Sequence, residues 1–542
     1  MSNDLEPEPL YRKELRFKYS PLYKQRGFVR LSDLHTTTAA SAQWTDAGTD
    51  PDITAVTIDS RKAVPGSLFV ALKGAKHDGH DYLLAAEKTG CSAVLVSDTE
   101  KSQELSIPVL VHPSPRKLIG PIAAKLQNDP SESIAVVGIT GTNGKTTTVE
   151  ILAAVERAQG QQVGTLGTLG AQIGEKKLST GFTTPEAPEL QQLLATIRDD
   201  GCSRALMEVS SHGIASHRID GVSFRVGAFT NLSQDHLDFH GTMEAYAESK
   251  ARLFLEHLPA SKDCNGAVIN IDDPFGEDLV QRLKSTNVEV FPVSRKGHPG
   301  ARGTVENVTM DTHGVSGSLC LDDRQIEFTT PLLGDHNLEN ILVAAGCAAL
   351  LGTDDSAIAA GLASIPSVRG RLEPLINDKG VHVIVDYAHT PQALERTLRT
   401  LRSISKNRVI CVFGCGGDRD QAKRPHMGQA AASGADVVVV TSDNPRSEDP
   451  QAIASQIEAG ILQADCPTYT EQTGGYLVEL DRAQAIRKAI ALARTDDVVL
   501  IAGKGHEETQ VIGDQVRVFS DHTVAQSILD ELGSSAPGGD TP

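Results

Sequence analysis

From about residue 29 onward, short runs rich in β-branched and apolar residues alternate with Ala- and Leu-rich stretches of helical spacing, the pattern that builds parallel α/β sheets. In the middle of the chain SIAVVGIT runs into GTNGKTT, RALMEV into SSHG, RVGAFTNL into SQDH and GAVINI into DD. Near its end VHVIVDY runs into AHTP, RVICVFGC into GGDRD, ADVVVVTS into DNPR and DVVLIAG into KGHE. Each reads as a strand ending in a short loop of polar residues and glycine. Open α/β sheets bind ligands at the carboxyl ends of their strands, so these eight loops are where chemistry is expected.

Residues 1–28 and 534–542 carry little apolar periodicity and are expected to be loose ends. Between them, proline-containing stretches at Pro113–Pro121 and Ile365–Leu372 separate three blocks with different loop chemistry. The expected fold class is α/β with three domains: a smaller N-terminal α/β domain (29–120), a central domain with a mostly parallel sheet of the P-loop type (121–365) and a C-terminal Rossmann-like α/β domain (366–533).

Composition narrows the function. A chain of 542 residues, 39% hydrophobic and 22% charged, is globular and large enough for several cores. Its 51 Lys+Arg against 70 Asp+Glu leave a net charge of −19, which argues against a nucleic-acid or anionic-membrane surface; any anionic ligand must be held by local devices. Eight cysteines without a CxxC pair suggest neither a disulfide framework nor a zinc site, and Cys411 and Cys415 read as small buried residues at a strand end. No apolar run approaches the ~18 residues of a membrane span and the first residues lack a signal-type apolar core, so the expected setting is a reduced cytoplasm without membrane insertion.

The most specific local signal is Gly141-Thr142-Asn143-Gly144-Lys145-Thr146-Thr147, which follows a strand and opens a helix that stops at Gly160. Glycines let backbone N–H groups approach phosphate oxygens, the helix N-terminus adds positive potential, Lys145 reaches the outer phosphates and Thr146 can ligate magnesium. Ile139 stands where the common GxxxxGK[ST] spacing has glycine, making this a GxxGK[ST] variant.

With MEVSSH, TNLSQDHLDFH, NIDD, GDHNLEN, VRGRLE, VDYAHTP, GCGGDRD, DNPR and GKGHE in the same order along residues 30–530, the chain resembles the Mur ligases, ATP-dependent amino-acid-adding enzymes of peptidoglycan synthesis. The resemblance implies ATP and two magnesium ions, with Thr146, Glu208, His236 and a carbamylated Lys250 as ligands; Lys145 joins Lys250, Glu208 and His236 as the catalytic set. From spacing alone, Glu208 and His236 are polar residues at strand ends, and a helix lysine such as Lys250 faces water. Further nucleotide contacts fall to Asn270, Asn337, Asn340, Arg371, Asp386 and His389, with Asp273 and His336 beside them.

The same resemblance implies two substrates, a UDP-N-acetylmuramoyl-dipeptide and meso-diaminopimelate, handled by a monomer. The first falls to Ile58, Ser60, Lys76, His77, Thr183, Thr184, Ser210, Ser216 and Arg218, although Phe182 and Ser216 replace residues common in relatives. The amino acid falls to Arg419, Asp443, Asn444, Pro445, Arg446, Gly503 and Glu507. Pro445 fixes a turn that presents Arg446, whose planar fork suits the carboxylate that distinguishes diaminopimelate from lysine. A lysine-adding ligase, a folylpolyglutamate synthase and a nucleotide-gated binding protein are the alternatives; DNPR argues against the first two, and the many polar strand ends against the third.

Overall fold

Four successive valines form the strand Val437–Val440, buried at every position, as are Ala135–Thr140, Val409–Phe413 and Val498–Ala502. Strands covered by helices on both faces read as continuous apolar runs, which is why all eight runs became parallel strands. The computed structural model describes residues 27–534 apart from 39–40, 46–47, 75–76, 312–313 and 366. Of the expected loose ends at 1–28 and 534–542, residues 1–26 and 535–542 lie outside the described residues, as does the candidate Lys76. The chain forms two units: one runs to Val293 and takes in Val343–Thr353, the other comprises Ser294–Leu342 and the residues from Asp354.

Besides the two-stranded pair Val29–Arg30 with Asp52–Ile53, the first unit holds two larger sheets. In the smaller, Ala55–Thr57, Ser67–Val70, Ala93–Val96 and Val109–Val111 run parallel, with Gln43–Thr45 antiparallel at the edge. Alternation sorts its side chains: Leu68, Val70 and Leu95 face the helices Leu31–Thr37 and Arg116–Leu126, while Phe69, Val94 and Val96 face Leu83–Lys88. Helix Arg116–Leu126 also packs on Ala187–Asp199, which ties the first block to the middle one. The larger sheet has the parallel order Val163–Gly167, Arg204–Glu208, Ala135–Thr140, Phe224–Phe229, Gly266–Asn270, Val290–Ser294. A hairpin, Gly170–Ile173 and Lys176–Leu178, extends it.

The second unit contains a three-stranded antiparallel meander, 303–330, and a six-stranded sheet. In the latter the antiparallel edge Glu373–Leu375 is followed by the parallel strands His382–Asp386, Val498–Ala502, Val409–Phe413, Val437–Val440 and Gly475–Val478. Pro391–Ile404, Lys423–Gly434 and Pro450–Gln463 cover one face through Leu398, Met427 and Ile457. Arg482–Leu492 and Asp521–Ser534 cover the other through Ile486, Ala489 and Ile528. Thr390, Asp449 and Asp481 cap their helices through side-chain oxygens, the first two with proline following. All eight cysteines are free; burial pushes the Cys411 and Cys415 thiols up to about 12, which keeps them unreactive.

One buried ion pair closes the second layer. Arg482 donates from Nε and Nη2 to the two Asp521 carboxylate oxygens, both at 2.7 Å, and from Nη2 to Ala502 O at 2.9 Å, with both side chains fully buried. Asp521→Ala should leave the guanidinium unpaired and cost ~3–5 kcal/mol, read as a lowered thermal midpoint. Arg482→Met combined with Asp521→Leu should lose far less; equal losses would mean that packing, not charge pairing, is at stake.

Candidate functional site

Strand Ala135–Thr140 ends at Gly141, where φ is +148° and a Cβ would lie 1.9 Å from Thr230 Oγ1, so glycine is required at the turn. The loop is pinned by the neighbouring strand end. Thr142 N donates to Asn231 O (2.8 Å), Asn143 N to Asn231 Oδ1 (2.9 Å) and Thr230 Oγ1 to Asn143 O (2.6 Å). Thr142 Oγ1 lies 3.1 Å from the Tyr246 hydroxyl. Gly144, with φ +86°, precedes helix Lys145–Ala158, and Lys145 folds back to donate to the carbonyls of Gly141 (3.0 Å) and Thr142 (2.8 Å). Thr146 and Thr147 are buried in the first turn, and Thr146 Oγ1 donates to Glu208 Oε1 at 2.9 Å.

Glu208 closes the adjacent strand and is held in place by Thr168 N at 2.7 Å and Thr168 Oγ1 at 3.1 Å. Lys250 does not face water. It is 1% exposed, donates to Gly141 O at 2.8 Å and lies 4.4 Å from the Tyr246 ring centroid. Burial, with Lys145 nearby, holds its pKa well below that of an ordinary lysine. The local cause is a register change: helix Met243–Arg252 passes into a π-helical turn, Leu253–His257, so Lys250 faces the loop while Leu253, Phe254 and Leu258 pack inward.

His236 departs from the expectation. It is not at the end of strand Phe224–Phe229 but beyond the loop pinned by Thr142, at φ +52°, with its side chain 46% exposed. Its ring meets His212 edge-on at 4.6 Å. Among the described residues no group of three or more His, Cys, Asp or Glu is spaced to hold a metal. The structure thus joins Thr146 to Glu208, and Lys250 to the loop, while His236 meets them only through the Tyr246 ring, edge-on at 6.2 Å. His212 and His240, which the sequence reading passed over, surround Tyr246 and His236; burial lowers both pKa values, helped by His236 beside His212 and by Lys250 and His236 beside His240. Their signal was the repeated histidine in SSHG and DHLDFH.

Beside Glu208, Thr184 Oγ1 donates to Glu208 O (3.0 Å) and accepts from Ser210 N (2.9 Å), and Ser210 caps the helix Ser211–Ala215. Thr183 Oγ1 is 3.1 Å from Thr168 Oγ1. Arg218 donates to Thr184 O at 3.0 Å, pairs with Glu186 at 3.0 Å and stacks 4.2 Å over the Phe182 ring, so the unusual Phe182 serves as its platform. Arg116, also missed, reaches Glu186 (3.2 Å) and the carbonyl of Ser216 (3.3 Å). Ile58 packs on the first sheet's core, Ser60 opens a 3-10 turn capped by Asp59, and His77 is exposed. Among the described residues no hydrogen bond links these three to the Arg218 group.

Asn270 and Asp273 shape the loop after Phe229: Asn270 Nδ2 donates to Thr230 O (2.8 Å), and Asp273 accepts from Leu232 N (2.7 Å) while capping helix Pro274–Leu283. His336, Asn337 and Asn340 lie inside the helix Asp335–Leu350, which starts before its apolar run. Asn337 Nδ2 donates to Leu333 O (2.7 Å) and Asn337 Oδ1 accepts from Asn340 Nδ2 (3.0 Å); burial lowers the His336 pKa to about 4.

In the second unit Asp386 accepts from Leu372 N (2.8 Å) and Ala388 N (2.9 Å), and its burial raises its pKa. Arg371 lies 4.6 Å over the Tyr387 ring, and His389 Nδ1 is 2.9 Å from Tyr387 O. Arg419 is exposed. Asp443, Asn444 and Pro445 are buried. Arg446 is not an open tip: at φ +53° it donates from Nη1 to Gly417 O (2.6 Å) and from its backbone to Val511 O (3.0 Å). A Cβ on Gly417 would lie 1.8 Å from Pro445 O, so the GGDRD and DNPR loops touch backbone to backbone. Gly503, at φ +114°, faces Asp443 Oδ2, and Asn444 Nδ2 donates to Glu507 Oε2 at 2.9 Å. Lys504, between them, was overlooked although it shares the glycine–lysine signature of Lys145.

Three family descriptions match the chain: "Mur ligase family, catalytic domain" over residues 52–144, "Mur ligase middle domain" over 139–348 and "Mur ligase, glutamate ligase domain" over 370–505. A Geobacter metallireducens protein named UDP-N-acetylmuramoyl-L-alanyl-D-glutamate--2,6-diaminopimelate ligase is 43% identical over 89% of this chain and 94% of its own. One of the same name from Geobacillus thermodenitrificans is 40% identical over 90% and 97%. A solved structure of a ligase of that name superposes with a TM-score of 0.68 at 32% identity, covering 89% of this chain and 95% of the other. The folylpolyglutamate synthase of Mycobacterium tuberculosis, at 20% identity and a TM-score of 0.58 over 77% of this chain and 95% of its own, shares the fold.

The depressed Lys250 pKa sets a sign. Between its folded value and the ~10.4 of an unfolded lysine, the unfolded chain binds more protons, so this group makes stability rise with pH. In carbon-dioxide-free buffer at pH 7, Lys250→Met should therefore raise the thermal midpoint, by on the order of 1 kcal/mol, and the gain should vanish towards pH 10. A lower midpoint at pH 7 would mean that the bond to Gly141 outweighs the burial of charge.

Proposed function

The chain belongs to the Mur ligase family, and from that premise we propose that it is the ligase that adds diaminopimelate, in its meso form, to UDP-N-acetylmuramoyl-L-alanyl-D-glutamate with ATP. The observation that carries the amino-acid assignment is the grouping of Asp443, Asn444, Gly503 and Glu507 beside a guanidinium, Arg446, held by Gly417. Carboxylates and an amide suit an α-amino acid's ammonium; a planar fork suits a carboxylate. In this reading the enzyme acts as a cytoplasmic monomer; among the described residues no helix is long and apolar enough to cross a membrane.

An amide does not form readily from a carboxylate and an amine, because oxide is a poor leaving group. In the proposed reaction the D-glutamyl carboxylate attacks the γ-phosphate of ATP, releasing ADP, and the diaminopimelate amine then displaces phosphate from the acyl phosphate. Gly141–Thr147 cradle the nucleotide, and Lys145 turns from the loop carbonyls to the transferring charge. Arg218, backed by Phe182 and held by Thr184, orients the acceptor with Thr183 and Ser210, while Ser60, Lys76 and His77 serve its uridine end. Asp386, Arg371 and His389 contribute to the nucleotide from the C-terminal domain.

The buried oxygens of Thr146 and Glu208, 2.9 Å apart beside the loop, fit a hard cation, with His236 and a carbamylated Lys250 as further ligands. Magnesium, when bound, neutralises phosphate charge. Lys250 supports the carbamate assignment because burial lowers its pKa and so favours the neutral amine, the form that adds carbon dioxide with loss of one proton.

Release of ADP should require both the UDP-dipeptide and an amino acid; release with either alone would replace the ligase by a nucleotide-gated binding protein. Lys145→Ala should abolish turnover without unfolding. Arg446→Ala should remove a charge-assisted contact of ~2–3 kcal/mol, weakening diaminopimelate about 30- to 150-fold while lysine, lacking that carboxylate, loses little. A wild-type preference for lysine would overturn the substrate; equal losses for both amino acids would confine Arg446 to shaping its loop.

A further inference from the structure

Lys504 is fully buried at the end of strand Val498–Ala502, a position no charged side chain occupies without partners. Its ammonium donates to Asn444 Oδ1 and to Glu507 Oε2, both at 3.1 Å, and lies 3.5 Å from Asp443 Oδ1, an ion-pair distance outside hydrogen-bond geometry. One cation therefore gathers three acceptors from two loops some 60 residues apart.

The Asn444 amide has a single workable orientation. Its Oδ1 accepts from Lys504 and from Val511 N (3.0 Å), and its Nδ2 donates to Glu507 Oε2 (2.9 Å); a flipped amide would set N–H groups against an ammonium and a backbone N–H. Both bonds to Glu507 end on Oε2, which leaves Oε1 of this one-third-exposed carboxylate facing a newcomer. Asp443 Oδ1 is likewise buried without a hydrogen-bond donor. Two carboxylates and one ammonium leave the cluster a single negative charge, the complement of one incoming ammonium.

We infer that Lys504 is a positioning residue for the amino-acid pocket: it fixes the Asn444 amide and the Glu507 carboxylate, and sets the pocket's charge, without touching the substrate. The inference rests on the proposed reading of this cluster as the diaminopimelate pocket. Lysine suits the place better than arginine because a compact ammonium meets three converging acceptors that a planar fork would not fit.

The test is the steady-state kinetics of the full chain carrying Lys504→Met, which keeps the stem's volume and removes the charge. KM for diaminopimelate should rise at least about tenfold while KM for ATP and for the UDP-dipeptide stay within about twofold. Lys504→Gln, whose amide still donates, should recover part of the loss. In a Glu507→Gln background, Lys504→Met should cost less than about twofold more, because the group it positions is already altered. An unchanged KM for diaminopimelate, equal increases for all three substrates, or fully additive losses would each overturn the inference. If the Met variant does not fold, as its circular dichroism and melting would reveal, the Gln variant answers the same questions. Failure of the substrate reading is distinguishable: wild type would then ligate another amino acid, and the same cycle run with that amino acid would still decide the role of Lys504.

Discussion

Strands covered on both faces leave a chain one place for polar chemistry, the points where the strands end. That constraint governs both units. Gly141 and Glu208 follow or close adjacent strands of one sheet, and Asp386, Asp443 and Lys504 sit at or just beyond the ends of strands of the other. Charges at such places are half inside the protein, so each needs a local partner. Lys145 and Lys250 share the carbonyl of Gly141, Arg424 binds Glu448 and Gly416 O, Arg482 binds Asp521, and Lys504 binds Asn444 and Glu507. In a chain of net charge −19 such local pairings set the sign at each strand end: Lys145 at its helix N-terminus favours an anion, and the Lys504 cluster, left with one negative charge, favours a cation.

Much of this was legible in the sequence because it is local. A strand, two glycines and a Lys-Thr pair announce the loop at 141–147 without reference to anything distant, and the eight apolar runs with their polar ends became strands where they were expected. What escaped depends on contacts between distant segments. The burial of Lys250 requires Gly141, more than a hundred positions earlier, and the grip on Arg446 requires Gly417 and Val511. Lys504 looked like one more polar residue in a quoted motif; only the approach of Asn444 makes it a hub. His236 lies farther from its strand than expected for a related reason: the segment after Phe229 is held by the side chain of Thr142, in the loop after the neighbouring strand, so sequence distance from the strand said little about position.

Backbone strain is distributed along the same line. His236, Asp418 and Arg446 each adopt a left-handed conformation without being glycine, and each lies in a loop beyond a strand end. Such residues persist where the surroundings over-determine them, and all three have visible restraints: Ser447 on Asp418, Gly417 on Arg446, and Asp235, Phe239 and His240 on the backbone of His236. The loops are therefore built rather than merely left over between strand and helix.

The π-helical turn at Leu253–His257 carries a longer consequence. A single inserted residue makes the two halves of one continuous helix answer to different neighbours: the half before it is phased to the loop at Gly141, the half after it to the apolar surface around Gly227. Mutations that repack Phe254 or Leu258 can accumulate without rotating Lys250, and those that tune the surroundings of Lys250 can accumulate without disturbing the core. The extra residue acts as a clutch, letting stability and chemistry drift separately along a helix that would otherwise couple them rigidly.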